Sequence, residues 1–575
     1  MDQPAHIQLS HSKKLYFGFL TAWLFINLLQ SYFTGLSHDE AYYYFYSTHL
    51  AWGYYDHPPM IALLIKMGYL VFHNELGVRL FISLMSVGTL ILIVELTEVK
   101  NYLLFFTLLF SVTIIQPMGF IAIPDMPLIF FTTLFFYGYK KYLRQDSFAN
   151  AILIMLAMAG MLYSKYPAVL VLFFTFVANL KIIRKKYFWL IVLASVLAML
   201  PHLFWQINHD FISFYFHLFE RSRNASFSIM NILGYVGGQV ALMNPFMAFF
   251  LIYYAFKNKP HNVFNRVLTA NVYGVFGVAL LLSFIGPVEA NWTITAFIPL
   301  IFLAYPALEK NLKLHKTLYV LGAVSIFLIL VLRVYLVYDF VPKKKESALQ
   351  GEFHGWKQWA KSIEDIAGNR PVVFANSYQK ASKYLFYTGH ESFTFNYLLY
   401  RKNQFDLQGI EPELAGNNVL FVYGTKGMWL YDTVAFYLPH PDSALIMGKW
   451  WYYADIPHYY SYNFLPVKIR LKNHTFKPNT LISIPVEIDN PLDTALTVRQ
   501  DGGGTWLAVA FTQKGKVISY KEAEDISLLW LNKEYSTSLL VKTPLAPGNY
   551  HLRVCIRSGW LPPGLNSKVF KVKIR

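Results

Sequence analysis

The sequence is poor in charged residues. Only 14% of its 575 residues are Asp, Glu, Lys or Arg, whereas 55% are hydrophobic and 18% are aromatic. Soluble domains usually carry about 25% charged residues, so this shortage excludes an ordinary soluble protein and indicates a polytopic membrane protein. The only cysteine, Cys555, excludes an intrachain disulfide. The region after residue 342 has no phosphate-binding loop, nucleotide fingerprint or metal-ligand cluster, and the chain has no internal repeat.

Long apolar segments dominate the first 340 residues. Their lengths suit a bilayer, which predicts about eleven transmembrane helices. The segments lie near residues 15–34, 77–98, 101–119, 126–142, 148–163, 167–182, 187–205, 229–256, 266–286, 292–308 and 317–338. The first segment is too long for a signal peptide and has no small-residue cleavage site, so we expect it to remain as a helix.

Positive charge is in excess, with a formal net charge of +17. The cations form short clusters between apolar segments and recur on alternate sides. We therefore interpret them as topology signals and expect no nucleic-acid partner. This distribution predicts a cytoplasmic N-terminus in a bacterial inner membrane. An odd number of spans then predicts that the residues after Tyr338 lie outside, in the periplasm.

Three domains are predicted from the change in pattern along the chain. Residues 1–340 form the transmembrane domain. Residues 341–462 alternate short strand-like runs with a helical stretch, which indicates a small external α/β domain. Residues 463–575 contain short alternating segments separated by turn residues, which is typical of an external β-sandwich.

Two acidic clusters follow the first apolar segment. Asp39 and Glu40 lie just beyond it, and Asp56 and His57 precede two prolines in the same outer loop. Acidic residues at a membrane exit are costly to desolvate and usually serve function. Asp39 could instead cap a helix that begins near Ala41, but capping explains neither Glu40 nor Asp56. Chemistry at the membrane surface is the better interpretation.

Further ionisable residues are predicted at the outer ends of spans or in outer loops. These are Asp125, Lys165, His202, Arg221, Arg223 and Glu289. Simpler roles are available for several of them: a helix cap for Asp125, a snorkelling lysine for Lys165, an interfacial histidine for His202, and ordinary loop charges for the two arginines. A transporter would place such groups at mid-bilayer, so their position at one interface favours an enzyme.

This set of residues suits sugar transfer from a lipid phosphate. A carboxylate, Asp39, can take the proton of an acceptor hydroxyl. Cations can stabilise the departing phosphate, with His57, Lys165, Arg221 and Arg223 as candidates. A divalent metal is a further candidate, with Asp56, His57 and His202 as possible ligands and Asp125 and Glu289 as additional options, although the sequence has no close ligand spacing and requires no cofactor.

The membrane half resembles the integral-membrane glycosyltransferases of the GT-C fold class, in the branch of the protein O-mannosyltransferases and the lipid A aminoarabinose transferase. Asp39-Glu40 resembles the acidic pair of the family's first external loop, whose Asp is taken as the catalytic base. The stretch Tyr55 to Met60 is similar to the acid-basic-Pro-Pro element that follows. Asp125 resembles the acidic residue of the second external loop, and Glu289 lies where bacterial relatives carry a late-loop motif.

The resemblance implies an inverting transferase with catalytic Asp39, Glu40 and Asp125. The residues around the donor would be Asp56, His57, Lys165, Arg221, Arg223 and Glu289. The donor would be a monosaccharide on a polyprenyl phosphate, and the acceptor a lipid, a glycan or a protein. Where the aminoarabinose transferase has Glu-Lys-Pro-Pro, this chain has Asp56-His57-Pro58-Pro59, so that donor is not implied. The rival hypotheses are an oligosaccharide ligase using a lipid pyrophosphate, a transporter or flippase, and a receptor whose β-sandwich binds partners.

Overall fold

The computed structural model describes residues 3–220, 226–257, 259–340, 348–425, 438–471, 473–500 and 502–575. The chain divides into two compact units, Met1–His354 and Gly355–Arg575. The predicted boundary at residue 340 lies shortly before this division. The further division into 341–462 and 463–575 stays a prediction.

The first unit is helical. Its helices are α1 Gln3–Phe33, α2 His38–Thr48, α3 Met60–Tyr69, α4 Glu75–Thr97, α5 Tyr102–Ser111, α6 Asp125–Arg144, α7 Phe148–Ser164, α8 Ala168–Ala178, α9 Phe188–Asn208, α10 Ile212–Tyr215, α11 Ile229–Met243, α12 Pro245–Lys257, α13 Val263–Ser283, α14 Phe297–Lys310, α15 Leu312–Val337 and α16 Ala348–Phe353. Short 3₁₀ turns occur at Thr113–Ile115, Pro117–Gly119, Leu180–Arg184 and Ala290–Ala296, and a π-helical turn at Phe216–Glu220.

Apolar helices long enough to cross a membrane confirm a multi-pass membrane protein. Within the described residues, 5 helices pass on length and composition, and up to 8 do so if each bent helix pair counts as one span. The bent pairs join α1 to α2, α5 to the turns ending at Gly119, and α11 to α12, at angles of 85°, 86° and 93°. Helices α7 and α8 are apolar but shorter. Every predicted segment thus coincides with a helix or helix pair, but the count of eleven spans is not confirmed.

Close packing in this unit depends on glycine. A Cβ atom on Gly77 of α4 would lie 1.7 Å from the carbonyl oxygen of Phe72, and one on Gly160 of α7 would lie 2.3 Å from the ring of Phe131 in α6. Real Cβ atoms cannot approach so closely, so any larger residue would force these elements apart. A larger residue at Gly77 would therefore displace the chain at Phe72, and one at Gly160 would push α7 away from α6.

The second unit begins with α17 Trp356–Ala367, α18 Tyr378–Thr388 and α19 Ile410–Glu413, with a 3₁₀ turn at Gln404–Leu407. Its strands are β1 Val372–Ala375, β2 Ser392–Phe395, β3 Val419–Gly424, β4 Pro441–Ile446, β5 Lys449–Ile456, β6 Val467–Ile469, β7 Thr475–Phe476, β8 Leu481–Asp489, β9 Leu496–Thr497, β10 Thr505–Gln513, β11 Lys516–Asp525, β12 Trp530–Leu531, β13 Glu534–Lys542, β14 Gly548–Ser558 and β15 Phe570–Ile574.

Two kinds of sheet follow one another along this unit. The first has the order β2-β1-β3-β5-β4, with parallel pairing around β1 and antiparallel pairing from β3 onward. The second region has a five-stranded sheet, β11-β10-β14-β15-β7, a three-stranded sheet, β13-β8-β6, and the pair β12-β9. Alternating residues of β8, β10 and β14 enter one buried apolar core. The predicted order, helical membrane region, α/β region and β-sandwich, is confirmed.

The α/β region and the β-sandwich pack together within this unit. Leu398, which follows β2, is buried against Ala508, Ala510 and Cys555 of the sandwich. The Arg553 side chain donates a hydrogen bond to the carbonyl oxygen of Leu398 (2.9 Å). These contacts explain why the two regions form one compact unit.

Candidate active site

The start of α2 is built around Glu40. The hydroxyl of Ser37 accepts a hydrogen bond from the backbone N–H of Glu40 (3.2 Å), and the Glu40 carboxylate accepts one from the backbone N–H of Ser37 (2.9 Å). This is a capping box, which satisfies two helix-terminal donors at once. The cap of α2 is thus Ser37, and the alternative that Asp39 caps a helix starting near Ala41 does not describe this turn.

Glu40 is also half of a buried ion pair. Arg79 of α4 donates to both of its carboxylate oxygens at 2.6 Å, and the side chains of both residues are fully buried. The backbone N–H of Ala122 donates a further hydrogen bond to Glu40 (2.8 Å). Arg79 in turn donates to the carbonyl oxygens of Ser31, Thr34 and Gly35, at the end of α1 and just beyond it. The carboxylate of Glu40 is therefore engaged in fastening α2, α4 and the loop before α6.

Asp39 differs from its neighbour because its side chain is exposed. It lies in the first turn of α2, where the partial positive charge of the helix N-terminus favours an ionised carboxylate. Because Ser37 and Glu40 fix the turn on either side, the backbone that carries Asp39 is held rigidly. The two residues of the predicted acidic pair thus have different surroundings. Asp39 is accessible, whereas Glu40 is buried and bonded to Arg79.

The loop that contains Asp56 is held by the segment from α9 to the π-helical turn. The His202 ring donates through Nδ1 to the carbonyl oxygen of Trp52 (2.7 Å), and the Ser213 hydroxyl donates to that of Tyr54 (2.7 Å). The His217 ring donates through Nε2 to the carbonyl oxygen of Asp56 (2.8 Å). These three contacts fix the backbone of a loop that contains two prolines.

Side chains of the same loop are also engaged. The Tyr46 hydroxyl of α2 donates to the buried Asp56 carboxylate, and the Tyr55 hydroxyl donates to the carboxylate of Glu220 (2.8 Å). The His57 ring lies 5.5 Å from the Tyr43 ring of α2 and 6.1 Å from the His217 ring. The acid-basic-Pro-Pro element therefore packs on α2 on one side and on His217 on the other.

Two of the predicted residues form a second ion pair. The Lys165 ammonium, just after α7, donates to both carboxylate oxygens of Asp125 at 2.9 and 2.8 Å. The Lys165 side chain is 12% exposed and that of Asp125 is 3% exposed. Asn291 donates to the same carboxylate over 3.4 Å. An ammonium has three donors, so one N–H of Lys165 remains after the two bonds to Asp125.

Contacts and short stretches of chain join these groups into a closed circuit, which we call the contact ring. Ring contacts lead from Tyr43 of α2 through His57 and His217 to Tyr166. The chain continues to the adjacent Lys165, whose ion pair reaches Asp125. Three residues before Asp125, the backbone N–H of Ala122 bonds Glu40 and closes the circuit. The Tyr166 ring lies 5.5 Å from that of His217 and follows Lys165 directly in sequence. Asp39 projects from the same first turn of α2 as Glu40.

The ring as defined does not include three of the predicted residues, Glu289, Arg221 and Arg223. Glu289 is exposed, two residues before Asn291. Arg221 and Arg223 lie outside the described residues, immediately after Glu220.

The metal site at Asp56, His57 and His202 stays a prediction. Within the described residues, a group of three acidic or histidine ligand atoms within 4.8 Å of one another occurs at Glu487, Asp489 and Glu534, in the second unit. The carboxylate of Asp56 accepts from Tyr46, and His202 bonds a backbone carbonyl and the Tyr166 hydroxyl. Asp56 and His202 thus already have hydrogen-bond partners within the protein.

Sequence reasoning missed several members of the site. Arg79, His217, Glu220 and Asn291 all bond residues that were predicted. Arg79 carried the clearest signal, because an arginine inside a long apolar helix is costly unless it is paired. His217 and Glu220 lie in a π-helical turn, a conformation frequent at functional sites, but that turn cannot be recognised from sequence.

Comparisons with known proteins agree with this architecture. A family profile described as "Dolichyl-phosphate-mannose-protein mannosyltransferase" matches residues 56–205. The matched stretch contains Asp56, His57, Asp125, Lys165 and His202, and begins after Asp39. No curated protein matches the chain.

Among solved structures, the chain is similar to ArnT from Cupriavidus metallidurans bound to undecaprenyl phosphate. The identity is 13%, the TM-score is 0.53, and the match covers 76% of this chain and 98% of the other. The chain therefore has the GT-C fold, and the predicted fold class and the predicted resemblance are confirmed.

Proposed function

We propose that this protein is a glycosyltransferase that moves a monosaccharide from a polyprenyl-phosphate-linked donor to an acceptor hydroxyl, with inversion at the anomeric carbon. The observation that carries the proposal is the contact ring, which joins Asp39's helix to the Asp56 loop and to the pair Asp125–Lys165. The fold adds support, since the ArnT structure holds undecaprenyl phosphate.

Asp39 is proposed as the general base. It is the accessible carboxylate of the pair, and an ionised carboxylate within hydrogen-bond reach of a hydroxyl can take its proton as the new bond forms. The acceptor oxygen then attacks the anomeric carbon while the bond to the lipid phosphate breaks, and this single displacement inverts the configuration. Glu40 is proposed as a positioning residue, because its carboxylate is already held by Arg79, Ser37 and Ala122.

Lys165 is proposed to bind the donor phosphate. Its remaining N–H can donate a charge-assisted hydrogen bond to a phosphate oxygen, while Asp125 holds the ammonium in place. The departing phosphate gains negative charge as the sugar leaves, and a fixed cation stabilises that charge. Asp125 and Asn291 would then set the position of the cation.

The remaining predicted residues are proposed around this centre. Tyr55 binds Glu220 (2.8 Å), and Arg221 follows Glu220 directly in the chain. This continuity supports Arg221 and Arg223 as further phosphate contacts. Asp56 and His57 would border the sugar, and Glu289 would lie beside the donor through its neighbour Asn291. We propose the outer face of a bacterial inner membrane as the location, with a cytoplasmic N-terminus.

The test begins with the products. Mass spectrometry of lipids and envelope glycans from cells with and without the protein identifies the transferred sugar and its acceptor. The purified protein in nanodiscs is then assayed with that donor and acceptor. Asp39→Asn should lower the rate of transfer by about 10²–10⁴-fold, the usual contribution of a general base, while undecaprenyl phosphate still binds.

Asp365→Asn is the matched control, since Asp365 is an exposed carboxylate on α17 of the second unit. It should transfer at the wild-type rate. Full activity in Asp39→Asn would refute the assigned base, and unchanged lipids and glycans in cells without the protein would refute the transferase.

A further inference from the structure

The hairpin of β4 and β5 in the second unit carries exposed apolar side chains at its tip. Leu445 is 60% exposed, Trp450 is 54% exposed and Met447 is 45% exposed. Leu445 and Trp450 are direct partners across the two strands, so their side chains lie beside each other on one face. Strand β4 is at the edge of its sheet, where natural proteins usually place charges. We call these three residues the apolar tip, because they expose apolar surface at a position that is normally polar.

The opposite face of the hairpin packs on the rest of the second unit. Trp451 is buried with its ring 5.2 Å from that of Trp359 in α17, and Ile446 is buried as well. Side chains alternate between the two faces of a strand. Burial of Ile446 and Trp451 therefore turns their neighbours Leu445 and Trp450 outward, so the packing of the hairpin fixes the exposure of the apolar tip.

The conformation of the turn does not require an apolar residue. Met447 and Gly448 connect β4 to β5 with φ angles of 53° and 75°, and Lys514 and Gly515 connect β10 to β11 with φ angles of 48° and 76°. Two positive φ angles are typical of one class of two-residue hairpin turn. This turn carries a lysine in the β-sandwich and a methionine at the apolar tip, so turn geometry does not explain Met447.

The composition around the apolar tip is typical of a membrane–water interface. Residues 443–452 contain no Asp or Glu, and their one charged residue is the exposed Lys449. On the face of Trp450, Tyr452 stacks on Tyr423 of β3 with 6.2 Å between the ring centroids. Trp and Tyr are enriched where a protein meets lipid headgroups, and a lysine there is attracted to anionic lipids. Composition and charge thus match a lipid surface.

The apolar tip contacts the residue at which the second unit begins. The Met447 methyl group occupies the space that a Cβ atom on Gly355 would take, and Gly355 is the first residue of the unit. The preceding residue, His354, has its ring 5.7 Å from that of Tyr335 in the last turn of α15. Helix α15 is long and apolar enough to cross a membrane. One peptide bond therefore separates the residue that Met447 contacts from a residue that packs on the end of this helix.

We infer that the apolar tip inserts into the headgroup region of the bilayer surface, with Lys449 beside the phosphates of anionic lipids. Insertion removes the exposed surface of Leu445, Met447 and Trp450 from water, which favours binding in proportion to the apolar area buried. The indole can keep its N–H at the polar headgroups while its ring contacts the acyl chains. This anchoring goes beyond the proposed transfer reaction and needs neither donor nor acceptor.

The test places a nitroxide at the apolar tip of the full chain, reconstituted in vesicles of phosphatidylethanolamine and phosphatidylglycerol. Leu445→Cys carries the label, and the native Cys555 is buried and does not compete for the reagent. Electron paramagnetic resonance then measures collisions of the nitroxide with oxygen, which concentrates in lipid, and with a water-soluble nickel complex. We expect frequent collisions with oxygen and a loss of collisions with nickel. Trp450→Cys, at the partner position, should give the same result and keeps the test informative if Leu445→Cys does not fold.

Lys514→Cys is the matched control, because Lys514 is the exposed first residue of the corresponding turn in the β-sandwich. Its nitroxide should collide freely with nickel. Equal nickel collisions at positions 445 and 514 would overturn the inference, since the apolar tip would then lie in water. Loss of both oxygen and nickel collisions at position 445 would also overturn it, because protein would then cover the tip. A second copy of the chain and residues 426–437, which lie outside the described residues, are the candidates for such a cover.

The charge beside the apolar tip is tested separately. Lys449→Glu in the labelled Leu445→Cys protein should raise nickel collisions in vesicles that contain phosphatidylglycerol, and should have less effect in vesicles of phosphatidylcholine alone. Lys516→Glu, at an exposed position of the sandwich hairpin, is the matched control and should change neither. An unchanged nickel signal in Lys449→Glu would overturn the contact between Lys449 and lipid phosphates.

Discussion

Two buried carboxylates of the membrane unit and two of the second unit differ in their partners. In the membrane unit, Glu40 and Asp125 are each paired with a cation, Arg79 and Lys165. In the second unit, Glu411 is buried and accepts a hydrogen bond from the backbone N–H of Asn463 (2.8 Å), and Asp406 accepts from the Asn396 amide (2.8 Å). Each of these two hydrogen bonds comes from a neutral amide group.

Burial affects the pKa of the two carboxylates in the second unit. Burial raises the pKa of Asp406 to about 6 and that of Glu411 to about 7, because desolvation penalises the ionised form. A cation beside a buried carboxylate offsets this penalty and keeps the charge. Glu40 and Asp125 thus lie beside cations, whereas Asp406 and Glu411 are buried with a raised pKa.

The largest expected change in stability comes from removing the cation beside a buried carboxylate of the membrane unit. Arg79→Ala leaves Glu40 buried and uncompensated, so we expect a loss of about 3–5 kcal/mol in the free energy of unfolding. Thermal unfolding of the purified protein in detergent measures the effect. Replacing both Arg79 and Glu40 by Met should restore part of the lost stability. The control is Lys361→Ala, which breaks an exposed ion pair with Glu364 and Asp365. It should leave the unfolding midpoint unchanged. A stable Arg79→Ala protein would show that the pair is not structural.

The stability of the second unit should fall as the pH rises. The pKa of Glu411 is raised above its ordinary value of 4.5 to about 7, so the folded state binds a proton that the unfolded state releases. The associated stability is fully present below pH 4.5 and is lost as the pH rises from there through about 7, with a size on the order of 3 kcal/mol. Glu411→Gln should therefore stabilise this unit at pH 8 and have little effect at pH 5.

The buried thiol of Cys555 reports on this unit, since it is the only cysteine of the chain and is inaccessible in the folded state. Its alkylation rate in mild urea, compared between variants at the same pH, measures opening. Glu411→Gln should slow alkylation at pH 8, while Glu413→Gln, at an exposed neighbouring position, should not. Equal rates for both variants would contradict the raised pKa.

Substitution of Lys165 tests whether the pair Asp125–Lys165 binds lipid phosphate, in addition to any structural role like that of Glu40–Arg79. We expect Lys165→Met to weaken the binding of undecaprenyl phosphate by about 10–100-fold, the contribution of one hydrogen bond to a charged group. Native mass spectrometry of the protein with added lipid measures this. Lys140→Met, which removes a lysine paired with Glu98, is the matched control and should bind normally. Because Lys165→Met leaves Asp125 buried, the double variant with Asp125→Asn separates stability from binding. Wild-type affinity in both would exclude the phosphate contact.

The smallest effect concerns the cap of α2. Ser37→Ala should cost about 1 kcal/mol of stability, and it should also reduce transfer because it loosens the turn that carries Asp39. Ser147 also caps a helix, α7, by accepting from the backbone N–H of Asn150. Ser147→Ala should cost similar stability without loss of transfer. Thermal unfolding and the transfer assay together make the comparison. Equal transfer in the two variants would show that the cap has no role at Asp39.

The helices were predictable from the sequence, but the bends between them were not. Apolar length identified residues 229–256 as one span, whereas the chain turns by 93° between α11 and α12. The turn occurs at Asn244, whose φ is 74° and whose amide donates to the carbonyl oxygen of Ser111 (2.9 Å). Hydropathy does not register a polar residue whose partner lies in a distant helix.

The site was predictable as a set of residues and not as a set of contacts. Asp125 and Lys165 are both visible as charges interrupting apolar runs, but their pairing depends on how α6 and α7 pack. Glu40 was grouped with Asp39 because the two are neighbours in sequence. The helical geometry separates them, since one faces solvent and the other faces Arg79.

One hydrogen bond in the membrane unit joins the end of this unit to the start of α2. The carboxylate of Glu352 accepts a hydrogen bond from the backbone N–H of His38 (2.6 Å) and lies 3.6 Å from the His38 ring. Helix α16, which ends one residue before the boundary of this unit at His354, is thus bonded to the turn that bears Asp39. Removal of the Glu352 carboxylate would release the first turn of α2 from the last helix of the membrane unit.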